Sequence, residues 1–194
     1  MEYRFARKIA IDTGLLLMPH CVRLNIAGSV RRKKAEVKDI ELVAIPKTRT
    51  LQTGLFDSSL TTVVSPDFVA MLESLGEVIK GKPDGRYMQI QLHEGIALDL
   101  FMPDPVDYFR QYCIRTGSAD YSAKVIAGGW KKLGWCGSDK GLRKIADCQN
   151  RASGGKMNWI CVNPDAELPP VWSSEEEFFD WLQIPWIKPE LRNV

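Results

Sequence analysis

The sequence predicts an α+β fold in which a mixed or antiparallel sheet carries helices on one side. Three observations predict it. Short stretches such as Val22-Arg23-Leu24-Asn25-Ile26 alternate with period two, as half-buried strands do. Residues 4–18 and 65–75 instead place apolar side chains near helical spacing. The two patterns intermix without the regular strand–helix–strand alternation of a parallel α/β sheet. The 194 residues suit one domain, or one domain with a small appendage, and the 45% hydrophobic content supports a core.

Taken in order, Phe5, Ala6, Ile9, Ala10, Leu16 and Leu17 define an opening amphipathic helix. The strand 22–26 ends at Gly28-Ser29, a turn signal followed by the basic run Arg31-Arg32-Lys33-Lys34. A second strand runs from Asp39 to Ile45, and the Thr/Ser-rich stretch 46–65 after it reads as a long loop. Ser65-Pro66-Asp67 starts a helix with a capping hydroxyl, proline at the first helical position and an acid in the first turn. Strands 86–92 and 96–101 form a hairpin through His93-Glu94-Gly95, which makes His93 a surface residue. Asp104-Pro105 opens a helix that stops near Thr116-Gly117, and Ser118 caps another running to about Lys132. A strand at 159–162 and a helix at 175–182, after Ser173-Ser174, complete the reading.

Composition excludes several classes. No apolar run approaches the roughly 18 residues of a membrane span, and no signal peptide is present, which places the chain in the cytoplasm, of prokaryotic or viral type. The five cysteines include no CxxC pair, so they read as reduced thiols rather than a disulfide framework or zinc ribbon. The formal charge of +2 hides an uneven distribution: residues 124–156 hold Lys124, Lys131, Lys132, Lys140, Arg143, Lys144, Arg151 and Lys156 against Asp139 and Asp147. Such a segment suits a polyanion partner, and a solvated helix face would carry the same charges. All six tryptophans lie between 130 and 186, marking the last third as a separate subdomain.

Asp39 and Glu41 are one residue apart in a strand, so the pleat sets both carboxylates on one face and Ile40 and Leu42 on the other. Asp99 repeats the pattern in a later strand. Three carboxylates on one sheet face suit two divalent ions about 4 Å apart, which take oxygen ligands and need a shared bridge. Taken alone, the acids fit a solvent-facing sheet equally well. The residues upstream decide between the two readings. Gly28 permits close backbone approach, Ser29 offers a hydroxyl, and Arg32 can pair bidentately with phosphate oxygens. No one element defines a site; their order and spacing together describe a phosphate cradle feeding a metal site.

The stretch Ile26-Ala27-Gly28-Ser29-Val30-Arg31-Arg32, followed by Asp39-Ile40-Glu41, resembles the nucleotidyltransferase signature of the family X DNA polymerases, the polymerase β family. Later segments agree in order. Gly95 to Phe101 resembles the strand of the third catalytic acid, and Ile114-Arg115-Thr116-Gly117-Ser118 resembles the family's Tyr-Phe-Thr-Gly-Ser turn. Ser173 to Phe179 resembles the thumb's acidic helix, and Leu182 to Arg192 resembles its closing segment.

The resemblance implies a palm over 1–117 and a small α/β thumb over 118–194, without the N-terminal lyase and helix-hairpin-helix region. It implies that Asp39, Glu41 and Asp99 are the catalytic residues and the ligands of two Mg²⁺ ions, Mn²⁺ being a possible substitute. Gly28, Ser29 and Arg32 would hold the terminal phosphates, and Thr116, Gly117, Ser118 and Ser122 would lie against the nucleotide. Lys124, Lys131, Lys132, Lys140, Arg143 and Lys144 would grip DNA. The implied activity is addition of dNTPs to a primer 3′-hydroxyl on primer-template or gapped DNA, in short-gap repair, by a monomer with no membrane partner. Trp130 and Trp135 are expected in the thumb core rather than stacked on bases.

Three positions depart from the family pattern: Glu41 where Asp is usual, Ile114-Arg115 for Tyr-Phe, and Ser122 for an Asn that contacts the base or minor groove. Two other functions stay open. One is a nucleotidyltransferase with a non-DNA acceptor. The other is a DNA-end-binding module without chemistry.

Overall fold

The opening amphipathic stretch forms helix α1 (Tyr3–Leu17), whose buried stripe of Ala6, Ala10, Thr13, Gly14 and Leu17 follows helical spacing. The structure is a computed structural model, and it describes residues 1–52, 60–153 and 156–193. After α1 come β1 (Cys21–Ile26), the one-turn helix α2 (Gly28–Arg31), β2 (Asp39–Pro46), β3 (Thr48–Gln52), β4 (Leu60–Val64) and α3 (Pro66–Ser74). Strands β5 (Gly76–Gly81), β6 (Tyr87–Leu92) and β7 (Ala97–Phe101) then lead to α4 (Tyr108–Thr116). Two short helices, α5 (Ala119–Tyr121) and α6 (Ala127–Lys132), flank a π-helical segment over Ser122–Ile126. The chain finishes with β8 (Trp135–Ser138), β9 (Gly141–Lys144), β10 (Cys148–Ser153), β11 (Lys156–Cys161) and α7 (Glu175–Trp181).

The first sheet has the order β1-β2-β7-β6-β5. Its central pair β2/β7 is parallel and the other pairs are antiparallel. One face presents Ile40, Leu42, Leu98, Leu100 and Ile90 to Phe68 and Leu72 of α3 and to α1, forming the larger core. The other face carries the odd-numbered residues of β2 and β7. Its far end is covered by Tyr108 and Tyr112 of α4, which pack on Val43 and Phe101. That leaves the strip around Asp39, Glu41 and Asp99 half-buried.

The second sheet, ordered β10-β11-β8-β9, packs on an aromatic cluster that includes Trp130, Trp135, Trp172, Phe178 and Phe179. Trp130 is 8% exposed and Trp135 3%, so both are core. Glu175, Glu176 and Glu177 fill the first turn of α7, and Ser174 caps it by accepting from the Glu177 N–H.

Several elements differ from the sequence reading. The stretch 46–65 is not wholly a loop: β3 and β4 form an antiparallel ribbon from Thr48 opposite Val64 to Gln52 opposite Leu60. Its threonines and valines favour extended backbone, and the ribbon stands apart from the main sheet. Residues 53–59 lie outside the described residues. The basic turn begins as a helical turn, with the Arg31 and Arg32 N–H groups bonding back to the Ala27 and Gly28 carbonyls. Strands β5, β8, β9 and β10 have no counterpart in the sequence reading. Strand β5 is almost wholly exposed, and β8 and β9 span four residues each, too few for a periodic signal. Among the described residues, no helix is long and apolar enough to cross a membrane. The five cysteines are free thiols.

Candidate active site

Period two and strand register build the site. Asp39 and Glu41 share one face of β2, and Glu41 stands directly beside Asp99 across the parallel β2/β7 ladder. The electrostatics record their closeness. Burial pushes the Asp39 carboxyl upward, and Asp99 adds to the shift. Burial pushes Glu41 up to about 7, with Asp39 adding and the Arg32 guanidinium opposing. Asp99 is held differently: its Oδ1 accepts hydrogen bonds from the Tyr87 hydroxyl at 2.8 Å and the Gln89 amide at 2.7 Å, both from β6. Burial, then the bond to Asp99, raises the Tyr87 phenol to about 12, which keeps it a donor.

The cradle lies against this strip. Gly28 adopts φ +58°, and a Cβ there would overlap the Glu41 carboxylate. Only glycine therefore allows the longer Glu41 side chain to lie under α2. Among the described residues, the Ser29 Oγ and the Arg32 Nε are buried without hydrogen-bond partners, while Arg32 Nη1 donates to the Thr116 carbonyl at 2.5 Å. Burial lowers the Arg32 pKa, against the pull of Glu41 and Asp39. A hydroxyl and a guanidinium N–H left unmatched indoors invite an anion with several acceptor oxygens.

These residues fit the metal ions implied by the resemblance in chemistry: three carboxylates, hard oxygen donors crowded on one face, suit Mg²⁺. They do not form a closed cage. Among the described residues, no three His, Cys, Asp or Glu side chains converge into a ready metal-binding group.

Arg115 belongs to the same face. Its guanidinium stacks 3.9 Å above the Phe101 ring, two residues along β7 from Asp99. Arg115 and Asp99 both line a cavity of about 700 Å³ that also touches Tyr87, Gly137, Ser138 and Gly141.

Other expected nucleotide residues have structural partners. Thr116 is fully buried, its hydroxyl accepting from Arg31 at 2.6 Å. Ser118 accepts from the Tyr121 N–H and donates its own N–H to the Arg192 carbonyl. Ser122 Oγ donates to the Ile114 carbonyl at 2.7 Å, and a Cβ on Gly117 would crowd that hydroxyl. Gly117 and Ser122 thus meet each other, one residue on from the Thr116 carbonyl that Arg32 holds.

The expected DNA residues spread over the second sheet and the helix before it. Lys131, Lys132 and Lys140 are exposed. Lys124 pairs with Asp120 at 2.9 Å, and Lys144 lies 4.2 Å from the Trp135 ring. Arg143 Nη1 donates to the Leu142 carbonyl.

A charge hub that no local sequence pattern marks joins α2 to α7 and the closing segment. Arg31 places both terminal nitrogens on Glu175, at 2.9 and 2.5 Å, and Arg192 adds a 2.8 Å bond to Glu175 Oε1. Arg31 also lies 4.0 Å from the Tyr112 ring. Burial alone would raise Glu175, but the Arg31 and Arg192 hydrogen bonds outweigh it and hold the carboxyl at about 2. Arg192 is fully buried, which marks the closing segment as part of the framework.

The two sheets, the cradle between β1 and β2, and the acidic strip define a polymerase-type palm joined to a small thumb. Residues 112–193 match the family model of the DNA polymerase beta thumb. No curated protein matches the sequence. Among solved structures, the chain is similar to Leishmania infantum polymerase beta in a ternary P/T complex, with a TM-score of 0.65 and 17% identity over 100% of this chain and 77% of that one. The ternary gap complex of the same protein matches with a TM-score of 0.65 and 16% identity, over 99% of this chain and 70% of that one. At these identities the shared property is the fold. The chain has a polymerase β-like palm-plus-thumb fold and resembles the family X DNA polymerases.

Proposed function

We propose that the protein is a DNA polymerase of the family X type, extending a primer 3′-hydroxyl with dNTPs in short gaps and releasing pyrophosphate. The observation that supports it most is the register that sets Glu41 beside Asp99, with Asp39 on the same face, under a cradle whose Ser29 Oγ and Arg32 Nε lack partners. The palm is assigned to 1–117 and the thumb to 118–194, with α4 packing into the cores of both.

Asp39 and Glu41 would hold both Mg²⁺ ions and Asp99 one of them. When bound, the ions would supply charge neutralisation for in-line phosphoryl transfer. Gly28, Ser29 and Arg32 bind and orient the terminal phosphates, Ser29 Oγ and Arg32 Nε offering the donors that lack partners among the described residues. Asp99 Oδ2, free of the bonds that hold Oδ1, takes the proton of the attacking hydroxyl. Thr116, Gly117, Ser118 and Ser122 support the nucleotide indirectly, by fixing Arg32 and the start of the thumb. The exposed Lys131, Lys132 and Lys140, with Lys124, Arg143 and Lys144, supply salt-sensitive grip on the DNA backbone.

The test is product analysis on gapped, nicked and single-stranded primers, with dNTPs and NTPs, beside labelled ATP without DNA. Extension of the gapped primer with dNTPs supports the polymerase reading. Transfer only in the absence of DNA would move the function to a non-DNA acceptor.

A further inference from the structure

We propose that Arg115 is the resident counter-cation of the carboxylate strip and so sets how tightly the site takes a divalent cation. The proposal rests on the polymerase reading of Asp39, Glu41 and Asp99, and concerns a residue to which that reading assigns no role.

The placement follows from the fold. Phe101 and Asp99 are two apart on β7 and face the same side, so a group stacked on Phe101 stands roughly 7 Å along the strand from Asp99. Arg115 is that group, 3.9 Å above the ring. Register puts Glu41 beside Asp99 and Val43 beside Phe101, so the strand pair that carries the acids runs on to the ring on which the guanidinium rests. It shares the wall of one cavity with Asp99, and its Nε is buried without a hydrogen-bond partner among the described residues. A guanidinium kept half-buried without that bond needs another source of stabilisation. The aromatic face supplies part. Burial lowers the Arg115 pKa, and the negative charge of Glu41 and Asp99 offsets part of that cost, with Arg110 opposing.

Arg32 faces the strip from the cradle side, next to Asp39 and Glu41. The two arginines meet through one segment, since Arg32 donates to the carbonyl of Thr116, the residue after Arg115. The excess negative charge is therefore compensated from both ends before any metal arrives. A divalent cation entering the strip meets the repulsion of Arg115, which lowers its affinity relative to the same site with a neutral residue.

Calorimetric titration with Mn²⁺ alone, at low ionic strength, tests this without requiring turnover. Removing one unit charge at this range should tighten Mn²⁺ binding about fivefold in Arg115→Met and Arg115→Gln. Arg115→Lys, which keeps the charge, should stay within about twofold of the unsubstituted protein. Two neutral variants guard against one that does not fold. Unchanged or weaker Mn²⁺ binding in the neutral variants, with the unsubstituted protein binding normally, overturns the role of Arg115 and leaves the metal site standing. No Mn²⁺ binding by any of the four proteins overturns the metal reading and this proposal with it.

Discussion

Arg31 grips Glu175 with both ends of its guanidinium across 144 residues of sequence, joining the helical turn α2 to the acidic helix α7. Arg192 seats on the same carboxylate, so one anion binds two cations at the junction. The cradle cannot shift against the thumb without opening this hub.

Replacing Glu175 by Gln leaves Arg31 and Arg192 facing each other without their anion. Side-chain exposures of 18%, 7% and 0% for Arg31, Glu175 and Arg192 place all three groups largely indoors. The expected loss is about 3 kcal/mol of unfolding free energy, the scale for breaking one side of a buried pair. Urea unfolding measures it. A loss within about 0.5 kcal/mol, typical of surface pairs, would show that the hub is dispensable.

The same carboxyl makes stability pH-dependent. Glu175 moves from an ordinary 4.5 to about 2 in the folded state. A lowered folded-state pKa contributes stability that is present above the ordinary value and lost as pH falls toward the folded one. Thermal melts should therefore decline from about pH 4.5 toward pH 2 more steeply in the native protein than in Glu175→Gln. Parallel declines would remove Glu175 as a cause.

Gly28 is fixed by a neighbour rather than by flexibility alone. Gly28→Ala meets φ +58° and the Glu41 carboxylate together. The expected result is a loss of about 1–2 kcal/mol and weaker Mn²⁺ binding as Glu41 is displaced. Combining it with Glu41→Asp, one methylene shorter, should restore part of both, and no restoration would place the strain elsewhere.

Lys131 and Lys132 end α6 in solvent. Alanine at either should lower DNA affinity alike for all sequences and reduce the slope of log K against log salt by about one. An unchanged slope would take that helix end off the DNA path.

The acidic strip is legible in the sequence because period two and a hairpin anchored at Gly95 fix which face each residue takes. That geometry gives each acid its face, while setting Asp99 beside Glu41 takes the parallel β2/β7 pairing, which the family resemblance alone anticipates. Glu175 also lies in a segment whose resemblance is visible, yet its role is not, because its bond to Arg31 spans 144 residues and leaves no local pattern. Tyr87 and Gln89 are hidden for a similar reason: their alternation marks a strand, while their partner Asp99 depends on the β6/β7 register. Arg115 is visible as a departure from the family turn. What it faces becomes clear only with Phe101 beneath it. The short strands β8 and β9 carry Gly137, Gly141 and Lys144, whose types argue for turns when read alone.

In the proposed reaction Asp99 is the carboxylate base that takes the primer proton. Extension of a gapped primer with dNTPs and Mg²⁺, comparing the native protein with Asp99→Asn, tests this most directly. The native protein should extend the primer, and the variant should lose at least about 10³-fold in rate, since that base acts in the reaction's own transition state. Extension by Asp99→Asn at the native rate, or no extension by the native protein with any dNTP in Mg²⁺ or Mn²⁺, would contradict it.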